Sequence, residues 1–226
     1  MTAAAVIVAA GRSERFGSSS KVLAQLQSRP VLEFSIDAFD QAESIAEIVI
    51  VVGEHTEAAI TQLISNGAWS TPISLVRGGA SRQESTANGV DTVSASADVI
   101  LVHDAARPMI LPTQIEACIV AARQYGGAIL AAPVTDTIKR VEAGHIESTI
   151  DRSTLWAAQT PQAFRAELLR AMISSDAADV TDEASLAEYL GYPVQIVPGD
   201  ATNLKITHLP DLIVAEALLR ARKDQS

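Results

Sequence analysis

Six charged residues sit where aliphatic runs give way to loops, and their types suit the handling of polyphosphate. The run AAAVIVAAG opens into RSERFGSSSK, which carries Arg15 and Lys21. VILVHDAARP leads directly into Asp104, followed by Arg107, and RGGASRQES places Arg82 after a glycine pair. NLKIT holds Lys205, an odd site for a cation unless it faces an anion. Arginine offers a fork and lysine a point charge to phosphate oxygens. A carboxylate at such an edge is an apt ligand for Mg²⁺ already held by phosphates, although an Asp there also suits the cap of a turn. Cations converging on one carboxylate are the equipment of phosphoryl or nucleotidyl transfer, in which neutralising charge does most of the catalysis.

The opening loop matches neither familiar phosphate motif. A Walker loop needs G-x-x-x-x-G-K-[ST], but five residues separate Gly11 from Gly17, and Val22 after Lys21 has no hydroxyl. The dinucleotide fingerprint fails because Ser13 and Glu14 stand in its place, which counts against an oxidoreductase. An export signal is not expected either, since no basic segment precedes the apolar run. What remains is a loop leaving the C-terminal end of a first strand, where open α/β sheets bind ligands. The small residues Ala9, Ala10 and Gly11 let the backbone approach a flat ligand. His103 reads as packed or hydrogen-bonded, and His55, His145 and His208 as surface positions, so a zinc site is unsupported.

The whole chain sharpens the meaning of these few cations. It carries 27 acidic against 17 basic residues, a formal charge of −10, which makes nucleic acid or an anionic membrane a poor partner. Nowhere do 18 apolar residues run together, so no membrane span is expected. The single Cys118 excludes an intrachain disulfide, lies at core spacing in TQIEACIVAARQYG, and fits a reducing cytoplasm. Hydrophobic residues make up 48% with only 4% aromatic, as in an α/β protein whose buried strands are aliphatic.

The elements that must position these residues follow a strand, loop, helix rhythm. Ala3 to Ala10, EIVIVVG, SLVRGG, DVILVHD and AILAAPV read as strands. PVLEFSIDAFDQA, TEAAITQLIS, ASRQESTANGVDTV and TQIEACIVAARQYGG read as the helices between them. The pattern implies an α/β chain with right-handed crossovers and a mostly parallel sheet, a single domain over 1–226. After Val134 the rhythm breaks: TDTIKRVEAGHIESTIDRSTLWAAQT alternates around Ala143-Gly144 and reads as an inserted β-hairpin, about 136–158. Its strands are too polar for a core, so the arm must lean on something, and a second subunit is the natural surface. Beyond it AELLRAMIS and TDEASLAEYLG read as helices, the latter with Thr181 as N-cap and Asp182 and Glu183 in its first turn. VQIVPG and NLKIT read as short strands, and DLIVAEALLRARK as a terminal helix.

The ordered segments AAGRSERFG…K, GGASRQES, VHDAARP, APVTDTIKR, DRSTLWAAQTPQAF, TDEASLAEYLG and NLKIT closely resemble the 2-C-methyl-D-erythritol 4-phosphate cytidylyltransferases, over nearly the whole chain. The resemblance implies a Rossmann-like nucleotidyltransferase fold, with CTP and a polyol phosphate giving a CDP-polyol and pyrophosphate, assisted by Mg²⁺, in isoprenoid precursor synthesis. It implies that Arg15, Lys21 and Lys205 act on the phosphates, and that Asp104 holds the metal. Ala9, Ala10, Gly11, Gly79, Arg82, Ser85 and Ala105 would bind the nucleotide. Arg107, Asp136, Thr137, Arg152 and Thr160 would serve the acceptor. In that family the arm crosses to the other subunit of a homodimer, so Thr137 and Arg152 would serve the partner's site. Val8 stands where many members carry Pro, and Ser20 replaces the Pro usual before Lys21, so the resemblance leads one to expect a more mobile GSSS stretch until CTP arrives. Ribitol-5-phosphate cytidylyltransferases share many of these motifs, and a non-catalytic nucleotide sensor is the alternative of another class.

Overall fold

Strands that are apolar on both faces settle in the middle of a sheet, because helices must cover them from both sides. In the computed structural model, which describes residues 2–11, 16, 20–175 and 180–224, the run TAAAVIVA becomes strand β1 (Thr2–Ala9). Ala3 through Ile7 are fully buried there. Two-residue strands β2 (Gln25–Leu26) and β3 (Arg29–Pro30) form a small hairpin through Gln27 and Ser28, both at positive φ. Helix α1 (Val31–Asp40), β4 (Ile45–Val52), α2 (Glu57–Asn66), β5 (Ile73–Arg77), α3 (Arg82–Thr92), β6 (Ala97–Asp104), α4 (Pro112–Tyr125) and β7 (Gly127–Pro133) follow. These match the expected alternation within a residue or two at most ends.

The chain then leaves the sheet as the arm, β8 (Ile138–Glu142) and β9 (His145–Ile150), turning at Ala143-Gly144 with both residues at positive φ. A short 3₁₀ turn over Arg152–Thr154 leads back into β10 (Trp156–Arg165). Helices α5 (Ala166–Ile173) and α6 (Glu183–Tyr189), strand β11 (Gln195–Pro198) and helix α7 (Leu209–Lys223) complete the order.

The main sheet has seven strands in the order β11-β7-β10-β6-β1-β4-β5. All neighbours are parallel except β10, which runs antiparallel to both β6 and β7. The chain winds outward from β1 in one direction through β4 and β5 and in the other through β6. The switch point therefore falls between β1 and β6, with Val8 registered on Asp104. On one face α1, α2 and α4 cover Ala5, Ile7, Ile50 and Leu101; on the other α3, α5 and α6 cover Ala4, Val6, Val51 and Val102. Helix α3 seats closely because Gly89 has no side chain: a Cβ there would lie 2.4 Å from Cγ1 of Val6.

Four expectations need correction. Strand β10 is not among the expected elements: its first residues, Trp156–Thr160, fall in the segment read as the hairpin, and its Pro161 is an uncommon residue for a central strand. The structure accommodates Pro161 where the ladder to β7 is irregular, between Ala158 and Gln162, and pairing with β6 starts only at Gln162. Consequently the arm is shorter than 136–158: Trp156, Ala157 and Ala158 pair with Pro133, Ala132 and Ala131 inside the main sheet. NLKIT is not a strand but an extended segment outside the sheet. Asp182, not Thr181, caps α6, accepting from the Ser185 amide at 2.8 Å. Asp182 directly precedes the helix, so its carboxylate reaches that amide, while the Thr181 hydroxyl, one residue further back, meets the Ser185 hydroxyl at 3.1 Å instead.

Candidate active site

Asp104 is the last residue of β6 at the switch point, and its side chain is only 13% exposed. Three cations surround it. Nζ of Lys205 lies 2.6 Å from Oδ2, Nη2 of Arg82 lies 3.8 Å from Oδ1, and Nε of Arg107 lies 3.9 Å from Oδ2. Burial alone would raise the carboxyl's pKa. The ammonium of Lys205 and then the guanidinium of Arg82 outweigh it and hold the group at about 2, so it is fully ionised at neutral pH.

Backbone contacts fix these groups in place. The amide of Ala105 donates to Val8 O at 3.2 Å, tying the turn after β6 to the end of β1, and Arg107 N donates to Asp104 O at 3.0 Å. The amide of Ile206 donates to Ala106 O at 2.8 Å, which brings Lys205 beside that turn although it is far along the chain. Beneath lies a satellite core of Phe16, Leu26, Val31, Ala106, Ile206 and Ala215, which joins the opening loop, the turn after Asp104 and α7. Arg107 reaches across to donate through Nη1 to Asn203 O at 2.8 Å, while its Nε and the Oδ1 of Asn203 are buried without a hydrogen-bond partner. Such orphaned polar atoms are rare in folded proteins.

The amide of Asp104 donates to Oγ1 of Thr160 at 3.0 Å, and that hydroxyl also lies 3.2 Å from Nδ1 of His103. The hydroxyl accepts from the amide, so its own proton points at Nδ1, and Nε2–H of His103 faces Arg107 O at 3.3 Å. This assignment fits a neutral ring. Full burial pushes the His103 pKa down to about 4.

Toward the other side of β1, Ala10, Gly53, Glu54, His55, Gly78 and Gly79 line a cavity of about 590 Å³. A side chain on Gly78 would collide with Cβ of Ala10 at 2.5 Å and with Oγ of Ser85 at 2.8 Å. The glycine pair thus keeps backbone exposed to the crevice. Oγ of Ser85 accepts from the Gly79 amide at 3.1 Å and donates to Ser81 O at 2.8 Å. A larger cavity of about 730 Å³ lies between α1 and α2, sharing no lining residue with the Asp104 cluster. Its Arg29 is already paired to Glu33 at 2.8 Å and to Asp37 at 2.7 Å.

The metal that the resemblance implies can be tested against this donor set. Among the described residues no group of three His, Cys, Asp or Glu side chains could hold an ion. One ionised carboxylate is instead what Mg²⁺ needs when phosphates bring most of its ligands, and Oδ1 of Asp104 is the oxygen that Lys205 does not contact. The fit is to a metal that arrives with a polyphosphate.

The comparisons agree with the geometry. Residues 3–221 match the family model described as IspD: 2-C-methyl-D-erythritol 4-phosphate cytidylyltransferase. A protein of that name from Synechococcus elongatus is 44% identical over 224 residues, covering 96% of each chain. One from Bacillus pumilus is 41% identical over 225 residues, covering 96% of this chain and 97% of its own. The crystal structure of 4-diphosphocytidyl-2C-methyl-D-erythritol synthase from Anaerococcus prevotii superposes with a TM-score of 0.85 at 29% identity, covering 97% of this chain and 96% of that one. This chain belongs to the 2-C-methyl-D-erythritol 4-phosphate cytidylyltransferase family.

Within this family member, most of the site residues expected from sequence come together. Ala9, Ala10, Gly11, Gly79, Ser85, Arg82, Asp104, Ala105, Arg107 and Lys205 gather at the C-terminal ends of β1, β5 and β6, and Ala9 and Ala105 are buried. Lys21 begins the turn before β2 and faces the start of α7, where burial would raise the Asp211 pKa but the amides of His208 and Thr207, with a smaller contribution from the Lys21 charge, hold it below the usual carboxylate range. Asp136, Thr137 and Arg152 are exposed at the root of the arm, where Nη1 of Arg152 donates to Thr135 O. Among the described residues no hydrogen bond or ion pair joins them to the Asp104 cluster. Arg15 and the Gly17–Ser19 stretch lie outside the described residues.

Two expectations shift. Arg82 does not aim freely into the crevice, because its fork is taken by Glu183 at 2.8 and 3.0 Å. Thr160 is buried with its hydroxyl spent on Asp104 and His103. Sequence reasoning missed Asn203 and Gln162. The NLKIT motif pointed at Lys205 and passed over its own first residue, and Gln162 gave no signal in a segment not read as a strand.

Proposed function

We propose that the chain transfers CMP from CTP to 2-C-methyl-D-erythritol 4-phosphate, giving 4-diphosphocytidyl-2-C-methyl-D-erythritol and pyrophosphate, in isoprenoid precursor synthesis. The observation that carries this is one ionised carboxylate at the switch point with Lys205, Arg82 and Arg107 within 4 Å. Such a basin of cations in a chain of net −10 suits a polyphosphate. An acceptor phosphate oxygen bonds to the α-phosphorus while the bond to the β-phosphate oxygen breaks, and the electron pair leaves with pyrophosphate. The acceptor's phosphate is largely dianionic at neutral pH, its second pKa being about 6, so no protein nucleophile is required.

In this reading Arg15, Lys21 and Lys205 grip the phosphates and stabilise the charge that builds at the α-phosphate. Asp104 holds Mg²⁺, which when bound neutralises phosphate charge. Ala9, Ala10 and Gly11 line the nucleotide, Gly79 and Ser85 read cytosine, Arg82 supports the start of α3, and Ala105 lies beside the ribose. Arg107, Thr137 and Arg152 bind the acceptor, with Asp136 and Thr160 near them. The arm pairs two copies, so that Thr137 and Arg152 act in the partner's site. That role would explain why Val141 and Ile146 are left 57% and 66% exposed.

The test is pyrophosphate release from CTP and Mg²⁺, in parallel with 2-C-methyl-D-erythritol 4-phosphate and ribitol 5-phosphate. Turnover with the first supports the assignment. Exclusive use of ribitol phosphate, or hydrolysis of CTP without transfer, overturns it.

A further inference from the structure

Glu183 holds a buried carboxylate that none of the roles above uses. It is the first residue of α6, 4% exposed, and both its oxygens are taken by the fork of Arg82. We infer that Glu183 is a positioning residue for the reaction: it holds the Arg82 guanidinium beside Asp104 without letting it close onto that carboxylate. The inference rests on the phosphate-transfer reading of Asp104.

The geometry is specific. The Nη2 of Arg82 that donates to Oε2 of Glu183 at 3.0 Å is the same nitrogen that lies 3.8 Å from Oδ1 of Asp104. That second separation is too long for a hydrogen bond, and a shift of about 1 Å would make it one. Arg82 therefore lends its charge to the crevice while leaving Oδ1 of Asp104 uncovered. Released from Glu183, it has an ionised carboxylate to collapse upon. Asp104 would then carry two direct cations, with Lys205 already at 2.6 Å.

Glu183 is braced from behind to do this. Gln162 of β10 accepts from the Ala184 amide at 2.9 Å and donates to Oδ2 of Asp182 at 2.9 Å, pinning the entry to α6. Gln162 is itself registered on Val102 of β6, two residues before Asp104. Thr160, two residues before Gln162, holds the Asp104 amide. A closed ring of contacts thus runs from Asp104 through Arg82, Glu183, α6 and β10 back to Asp104. A buried ion pair adds little net stability over an apolar contact of the same shape. A mere brace between α3 and α6 could have been built from leucines, and the bidentate pair fixes where a guanidinium points instead.

A double-mutant cycle tests this on the full chain with Glu183→Gln, Arg82→Gln and the pair together. Glu183→Gln should lower kcat/KM for CTP about 10–100-fold and raise the Mg²⁺ concentration needed for half-maximal rate, as outer-shell changes at metal sites do. The double variant should be no worse than Arg82→Gln alone, within roughly threefold, since both changes act on one group. Glu183→Asp, which keeps the charge, should recover part of the loss. Independently of activity, the Arg82 Nη–H resonances, whose protons Glu183 accepts, should be protected from solvent exchange in the unmodified chain and shifted in Glu183→Gln. Should Glu183→Gln fail to fold, Glu183→Asp and Arg82→Gln carry the same comparison. Effects that multiply in the double variant, or full turnover in Glu183→Gln with an unchanged Arg82 resonance, would overturn the inference. Failure of the functional reading would show separately, as an inactive unmodified chain.

Discussion

The Asp104 cluster and the β8–β9 arm are both rich in charge and put it to opposite use. In the cluster, Lys205 meets a carboxylate that is 13% exposed at 2.6 Å, and that contact helps hold Asp104 ionised down to about pH 2. In the arm, Arg140 and Glu147 lie 3.9 Å apart with side chains 64% and 53% exposed. Water screens the second pair and shields the first much less. The residue types are nearly the same, so depth decides what a charge can do: in the crevice it fixes the ionisation of its partner, and on the arm it stays in water.

The largest expected difference is catalytic. Lys205→Ala and Lys21→Ala should each lower kcat by about 10²–10³, with a smaller change in KM for CTP, as for loss of one preorganised charge donor. Steady-state kinetics that showed only a raised KM would move those lysines from chemistry to binding.

Next comes the pH dependence of stability. The folded pKa of His103 is lowered from 6.5 to about 4, so below pH 6.5 the unfolded chain binds a proton that the folded chain refuses. Stability should fall as the pH drops from about 6.5 to 4, by on the order of 3 kcal/mol. Asp104, lowered from 3.8 to about 2, is the reverse kind of group: its contribution is present above pH 3.8 and is lost as the pH falls through about 2. Urea titrations of His103→Asn at several pH values should show a flatter slope between pH 6.5 and 4, and an unchanged slope would remove His103 as the cause.

On the arm, Val141→Ser and Ile146→Ser should each weaken self-association about tenfold or more, by exposing little and burying less on pairing, while leaving monomer stability nearly intact. Sedimentation equilibrium reads this; a chain that is monomeric at every concentration would leave the arm without its proposed partner. The smallest effect should be Arg140→Ala, under about 0.5 kcal/mol in thermal or chemical unfolding. A larger value would mean that the arm's charges are covered in solution.

The legibility of the molecule divides along the same line. Runs such as VILVHD and EIVIVVG could be read as strands because a buried parallel strand shows itself in local apolarity, and the residues at their ends followed from sheet topology. Asp104 is recognisable from that placement, whereas Lys205 stands out only as a cation in a short segment misread as a strand. Glu183 was not, since an acidic residue in the first turn of a helix is explained by the helix dipole alone. Its true partner is Arg82, 101 residues away, and no local pattern announces such a pairing. Strand β10 was hidden for a related reason: its first residues fall in the segment read as the hairpin, and its Pro161 sits at an irregular ladder that only the folded neighbours create. NLKIT failed in the other direction, alternating like a strand while packing as a strap over Ala106.

Pro133 and Trp156 face each other as paired residues of adjacent strands, and Val134 N donates to Leu155 O at 3.0 Å just beyond them. The excursion that begins after one therefore closes at its own doorstep. Lengthening, trimming or recomposing those intervening residues leaves both ends stitched to the same sheet. The hairpin's tip around Ala143-Gly144 is thus open to revision without unpicking the sheet, while Thr137 and Arg152 at its root stay tied to the acceptor role proposed for them.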